Sequence, residues 1–160
     1  MLLLFGYGNL LAKTSIRFFF WLLLKDRLST RELPRRRNME LPDYNCVHCN
    51  TPTEETLEHL FLHCPFAHNC WASINLFVGN SNPFVTLEQF RDQLNVPFFM
   101  DVIIVMSWCI WMQRNDLIFR GILPSQAACL RHFKSEFALV ILWAKARYKD
   151  QMSLWLEALV

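Results

Sequence analysis

The sequence predicts a mostly α-helical fold, on three observations. Long apolar stretches have helix length, capping signals stand ahead of several of them, and Gly, Pro and Asn residues punctuate the gaps. No internal repeat and no low-complexity tract breaks this pattern.

Phe18–Leu24 is apolar all round and too long for a typical strand, so it reads as a buried helix running to about Leu28. Ser29-Thr30-Arg31-Glu32 then fits a capping box, with Ser29 as N-cap and Glu32 at N3, opening a short basic helix that holds Pro34 near the end of its first turn. Leu41–Asn45 is loop. Thr51, Pro52 and Glu54 repeat the start signal, and a helix through about Leu62 is expected. Cys64, just before Pro65, is the expected N-cap of the next helix, which should run to Phe77 and close at Gly79.

Asn80-Ser81-Asn82-Pro83 is a linker and the best internal boundary. Thr86 is expected to open a helix to about Leu94, and Phe98–Phe119 forms another that ends at Arg120-Gly121. Pro124-Ser125 starts a long helix to about Tyr148, with Phe133, Phe137, Val140, Ile141 and Ala144 at helical spacing. The predicted organisation is an atypical N-terminal segment, 1–14, a compact unit, 15–79, and a C-terminal helical extension, 84–160.

Of the 160 residues, 53% are hydrophobic and 19% charged, where about 25% charged is usual. That composition excludes a disordered charged tail and implies apolar surface that something else covers. The net charge of +2 conceals a polarised chain. Residues 13–37 carry eight bases against Asp26 and Glu32, residues 38–101 carry eight acids against Arg91, and residues 102–160 carry seven bases against four acids.

The uninterrupted apolar runs Phe18–Leu24 and Val102–Met106 fall short of the roughly 20 residues a membrane span needs. Met1–Ala12 is apolar but lacks a basic n-region and a small-residue cleavage site. We therefore read an intracellular protein with no membrane role and no small-molecule substrate.

Six cysteines in such a chain argue against a disulfide framework. Four residues instead have metal-ligand spacing: Cys46-x2-Cys49-x9-His59-x4-Cys64. A Cys-x2-Cys turn can aim two sulfurs at one centre, His59 supplies an imidazole nitrogen, and Cys64 sits at a positive helix end that favours a thiolate. Three sulfurs and one nitrogen complete a tetrahedral Zn²⁺ and leave no open position, which points to one structural ion. His63, four residues on, is the alternate to His59, and His48 would have to reach back against its own turn. Cys70 is read as a core or surface thiol, and Cys109 and Cys129 as core.

The residues Phe19-Phe20-Trp21-Leu22, Arg27-Leu28-Ser29-Thr30, Arg36-Arg37, the Cys46–Cys49 pair, Glu55-Thr56-x-Glu58-His59-Leu60-Phe61, Cys64-Pro65-x-Ala67 and Trp71 resemble the zinc-binding domain of plant LINE-type (non-LTR) retrotransposon reverse transcriptases. Trp108-x2-Trp111-x2-Arg114-Asn115, then Phe119 and Gly121, is similar to the helical segment that follows that domain. The resemblance implies the same ligands, Cys46, Cys49, His59 and Cys64, and a non-catalytic role in nucleic-acid contact or polymerase support. Met1–Ser15 lacks the family's opening Trp-x2-Ile-Trp, and Pro34 stands where leucine is usual. The chain is read as an isolated remnant of a mobile element.

Arg27, Arg31, Arg35, Arg36 and Arg37 fall at i, i+4 and i+8, plus neighbours, so several are expected to share a helical face that could neutralise phosphates of RNA or DNA without reading sequence. The zinc block is acidic, so nucleic acid is expected to approach the basic segment instead. No polymerase-type Asp pair, Gly-rich phosphate loop, G-x-S-x-G or zinc-deaminase pattern occurs, so no enzymatic activity is expected. The alternative is a structural remnant that docks a reverse transcriptase or other retroelement protein, or self-associates; Trp108, Trp111 and the Phe98–Met112 run are expected to bury their faces in a core, and could instead form such a docking face. Arg114-Asn115 is expected to cap or brace its helix end.

Overall fold

The computed structural model describes residues 14–160, and the segment expected to be atypical lies almost wholly outside them. The fold is helical, as the sequence predicts. In order come α1 (Thr14–Leu24), α2 (Glu32–Arg36), a π-helical segment (His59–His63), α3 (Pro65–Ala72), α4 (Pro83–Leu94), α5 (Phe99–Arg120), α6 (Gln126–Trp143) and α7 (Ala146–Glu157). Among the described residues the one β-bridge pairs Asn45 with Glu54.

Among the described residues helix α1 is already formed at Thr14, four residues before the expected Phe18, and it stops four before Leu28. It ends in a Schellman motif: Asp26 adopts φ 52°, Arg27 N–H donates to Leu22 O at 2.9 Å, and Asp26 N–H donates to Leu23 O at 3.1 Å. The Ser29–Glu32 capping box does not form. Arg31 is the N-cap residue without a side-chain cap, and the start of α2 is satisfied by Glu55 instead. Arg31 N–H donates to Glu55 Oε1 at 2.9 Å, and Glu32 N–H donates to Glu55 O at 3.3 Å.

The helix expected from Thr51 is also displaced. Cys46 N–H donates to Thr53 O at 2.7 Å and Glu55 N–H to Tyr44 O at 2.9 Å, so residues 53–55 pair with 44–46 instead of entering a helix. Non-local pairing overrides the local cap. Thr56 takes over, its Oγ1 accepting from His59 N–H at 3.0 Å. Cys64 is the N-cap residue of α3, as expected, but that helix ends at Ala72 rather than Phe77, with Asn75 at φ 62° in the turn that follows.

Asn82, in the expected linker, caps α4 by accepting from Phe84 N–H and Val85 N–H, which moves the helix start ahead of Thr86. The long helix predicted to Tyr148 is two helices. Ala144 and Lys145 are extended, and α7 folds back on α6. The return places Trp155 edge-on to Phe133, Phe137 and Phe98.

Helix α5 is the centre of the fold and touches α1, α3, α4 and α6. It is long and apolar enough to cross a membrane by length and composition, because only Ser107 separates two apolar runs that look short in the sequence. Here it is a core helix: Phe19 of α1 packs against Trp108 and Trp111, and also meets Phe61 of the π-helical segment. Buried side chains from both sides of the 80–83 linker belong to one continuous core.

Candidate metal centre

Two local devices build the site. The first is the pairing of 44–46 with 53–55, which pins the tight turn that carries Cys46 and Cys49, closed by Cys49 N–H donating to Cys46 O at 3.3 Å. The second is the π-helical segment. On an α-helix His59 and Cys64, five residues apart, would point about 140° away from each other. Cys64 N–H instead donates to His59 O at 2.7 Å, an i to i+5 bond that brings both residues to one side. Trp71 Nε1–H donates to Phe61 O at 2.7 Å and locks this segment onto α3.

The ligand atoms of Cys46, Cys49, His59 and Cys64 all lie within 4.8 Å of one another. Cys46 Sγ is 3.9 Å from Cys64 Sγ, Cys49 Sγ is 3.7 Å from Cys64 Sγ, and Cys49 Sγ is 3.2 Å from His59 Nε2. Tetrahedral zinc with sulfurs at about 2.3 Å separates them by about 3.8 Å. The donor set and its spacing fit that ion, and the four ligands leave no coordination position open.

The thiols differentiate one another. Cys64 is pulled down to about 5, first by the Cys46 thiol donating to its sulfur and then, against burial, by the Ala67 and Phe66 amides at the start of α3. Cys46 is pushed up by that same hydrogen bond and by burial, and Cys49 is raised by burial beside Cys64. A metal would take all three as thiolates, releasing at neutral pH the protons of Cys46 and Cys49.

The other histidines stand apart. His63 Nε2 meets Glu58 Oε1 at 3.0 Å, away from the sulfurs, so the cluster contains His59 and not its alternate. His48 stacks on Phe66 at 4.4 Å between ring centroids, and neither of its nitrogens has a partner. Burial, with Arg114 and His59 adding, lowers it to about 4, so it is neutral at neutral pH.

The five arginines do not share one helix face. Arg27 lies in the turn after α1, Arg31 precedes α2, and Arg37 follows it. Arg31 Nη1–H donates to Asp43 Oδ2 at 2.9 Å and to Asn45 O at 3.0 Å, clamping the loop that leads into the Cys46 turn. Arg35 pairs with Glu54 at 2.6 Å, and Arg36 with Asp26 and, at 3.8 Å, with Glu32. Arg27 and Arg37 are exposed, with no side-chain partner among the described residues.

Two residues of the quoted motifs support the site through a pairing that the motifs do not show. Glu55 is fully buried, and the Arg114 guanidinium of α5 grips it, Nη2–H to Oε1 at 2.6 Å and Nε–H to Oε1 at 3.2 Å. Arg114 also lies over the Trp111 ring at 4.7 Å and donates to Asn115 Oδ1 at 3.0 Å. An arginine inside an apolar helix signals that a carboxylate must exist, but nothing local selects Glu55 from the neighbouring Glu54 and Glu58.

Residues 8–71 match the family described as zinc-binding in reverse transcriptase, and the match contains all four clustered ligands. Neither the curated proteins nor the solved structures provide a match. The matched domain is a zinc-binding accessory domain and not a catalytic one.

Proposed function

We propose that this chain is a non-catalytic module, derived from a plant LINE-type retrotransposon reverse transcriptase, in which one structural Zn²⁺ shapes a surface that contacts RNA or DNA. The observation that carries this reading is the closed Cys3His donor set within the segment matching a reverse-transcriptase zinc-binding family. The ion would be held by Cys46, Cys49, His59 and Cys64 and would supply folding energy rather than a reactive water. Its three thiolates leave the centre with a net charge of −1, so phosphates belong elsewhere. Arg27 and Arg37 are free to meet them, whereas at Arg31, Arg35 and Arg36 a phosphate must compete with a carboxylate.

Two measurements test the reading: the metal content of the purified protein, and oligonucleotide binding across a salt series. One zinc per chain is expected, with binding that weakens as salt rises. Charge reversal at Arg27 and Arg37 should weaken it further and flatten the salt slope. A metal-free folded protein, or no oligonucleotide binding, overturns the reading.

A second reading, docking of a polymerase or self-association, is favoured by one feature. A groove of about 640 Å³ lies between α1, α4 and α5, with Phe20, Leu23, Phe61, Phe84, Phe90 and Met100 among its walls. Concentration-dependent association without nucleic-acid binding would select it.

A further inference from the structure

Helix α1 presents a second basic surface, separate from the five arginines of the loop and α2. Arg17, Trp21 and Lys25 recur every four residues, and Phe18 lies beside them within the same arc of about 100°. All four are exposed, Phe18 at 60% and Trp21 at 47%. Their rings stack on one another, centroids 6.0 Å apart and planes inclined by 16°. The helix continues through Lys25 by its N–H bond to Trp21 O at 3.1 Å, so the stripe is one continuous surface.

Burial explains why these rings need an outside partner. The opposite side of α1 already supplies the core through Ile16 and Phe19, so Phe18 and Trp21 are surplus to the fold. Charge says which partner. Arg17 and Lys25 have no carboxylate partner among the described residues, and α1 contains no acid. The nearest acid in sequence, Asp26, is held by Arg36. Two stacked rings between two free cations about 12 Å apart along the helix combine the two elements that hold single-stranded nucleic acid: a flat stacking surface and a charge for the backbone on each side.

We propose that the Arg17–Phe18–Trp21–Lys25 stripe binds single-stranded RNA or DNA, bases stacked on the rings and phosphates at the two cations. It rests on the nucleic-acid reading above and gives it a strand preference and a location. Duplex cannot use the rings without unstacking its own bases.

Fluorescence anisotropy with labelled ten-nucleotide dT and U oligomers, and a ten-base-pair duplex, tests this on the full chain. The single strands should bind at least about tenfold more tightly. Trp21→Ala should weaken single-strand binding by about five- to a hundredfold, the range that loss of base stacking gives, with the salt slope unchanged. Arg17→Gln with Lys25→Gln should lower that slope by about 1.4, for two lost phosphate contacts. Trp21→Phe should retain most of the binding. Circular dichroism and metal content confirm that each variant is folded.

Binding that ignores Trp21→Ala and Phe18→Ala and treats duplex as single strand overturns this proposal while leaving the general nucleic-acid reading intact. Binding of no oligonucleotide overturns both. Tighter binding to phosphatidylserine vesicles, or self-association abolished by Trp21→Ala, assigns the stripe to another occupant and also overturns the proposal.

Discussion

Arg114 on α5 reaches back across 59 residues of sequence to Glu55, and the two form a buried ion pair at 2.6 Å between Nη2 and Oε1. Glu55 in turn accepts from Arg31 N–H. Its own N–H donates to Tyr44 O, in the pairing that pins the Cys46 turn. One carboxylate therefore ties together the centre of the fold, the start of α2 and the candidate metal turn.

Removing one partner of this pair should be costly. Arg114→Met is expected to destabilise the protein by about 3–5 kcal/mol in urea denaturation, because Glu55 is left charged and unpaired in the core. Glu55→Met, which leaves the Arg114 guanidinium unpaired, should cost a similar amount. Combining Arg114→Met with Glu55→Met should cost less than the two single losses together, which a double-mutant cycle measures. Strict additivity would refute the coupling.

Metal removal should act locally first. With a chelator present, residues 40–75 should lose amide protection in hydrogen exchange, since structural zinc supplies folding energy directly. Cys46→Ser and Cys64→Ser should behave like the chelated protein. Unchanged protection in that region would deny the cluster a structural role.

The two histidines should separate cleanly. His59→Ala is expected to abolish stoichiometric metal binding, and His63→Ala to leave it intact, because His63 faces Glu58 rather than the sulfurs. Metal analysis of the two purified variants decides the point, and equal loss in both would contradict the geometry.

The end of α5 offers a purely backbone test. Gly121 sits at φ 66° with open space around the position of a Cβ, so Gly121→Ala introduces strain and no clash. The expected loss is about 1 kcal/mol. Asn82→Ala, which removes the two-amide cap of α4, should cost about the same. Thermal or urea denaturation would register either change.

The helices were legible wherever an apolar pattern met a strong local stop. The Arg120-Gly121 end of α5 is one case, because a left-handed residue there is a local matter. The capping box at Ser29 and the helix at Thr51 were legible too, yet neither forms. Their local preferences, of the order of 1 kcal/mol each, yield to the Glu55 contacts and to the pairing of 44–46 with 53–55.

The sequence by itself determined the mostly helical class and the spacing of Cys46, Cys49, His59 and Cys64, since both depend on residues within about twenty positions of one another. Only the tertiary structure decided that a π-helical turn brings His59 and Cys64 together. It also decided that α6 and α7 break at Ala144 so that Trp155 can pack. The choice of which arginines stay free belongs there too. Arg31, Arg35 and Arg36 are taken up by acids 10 to 19 residues away or closer, while Arg17 and Arg27 keep an open charge. The physical reason is common to all three: charge pairing and aromatic packing depend on distance in space, and no local periodicity carries that distance.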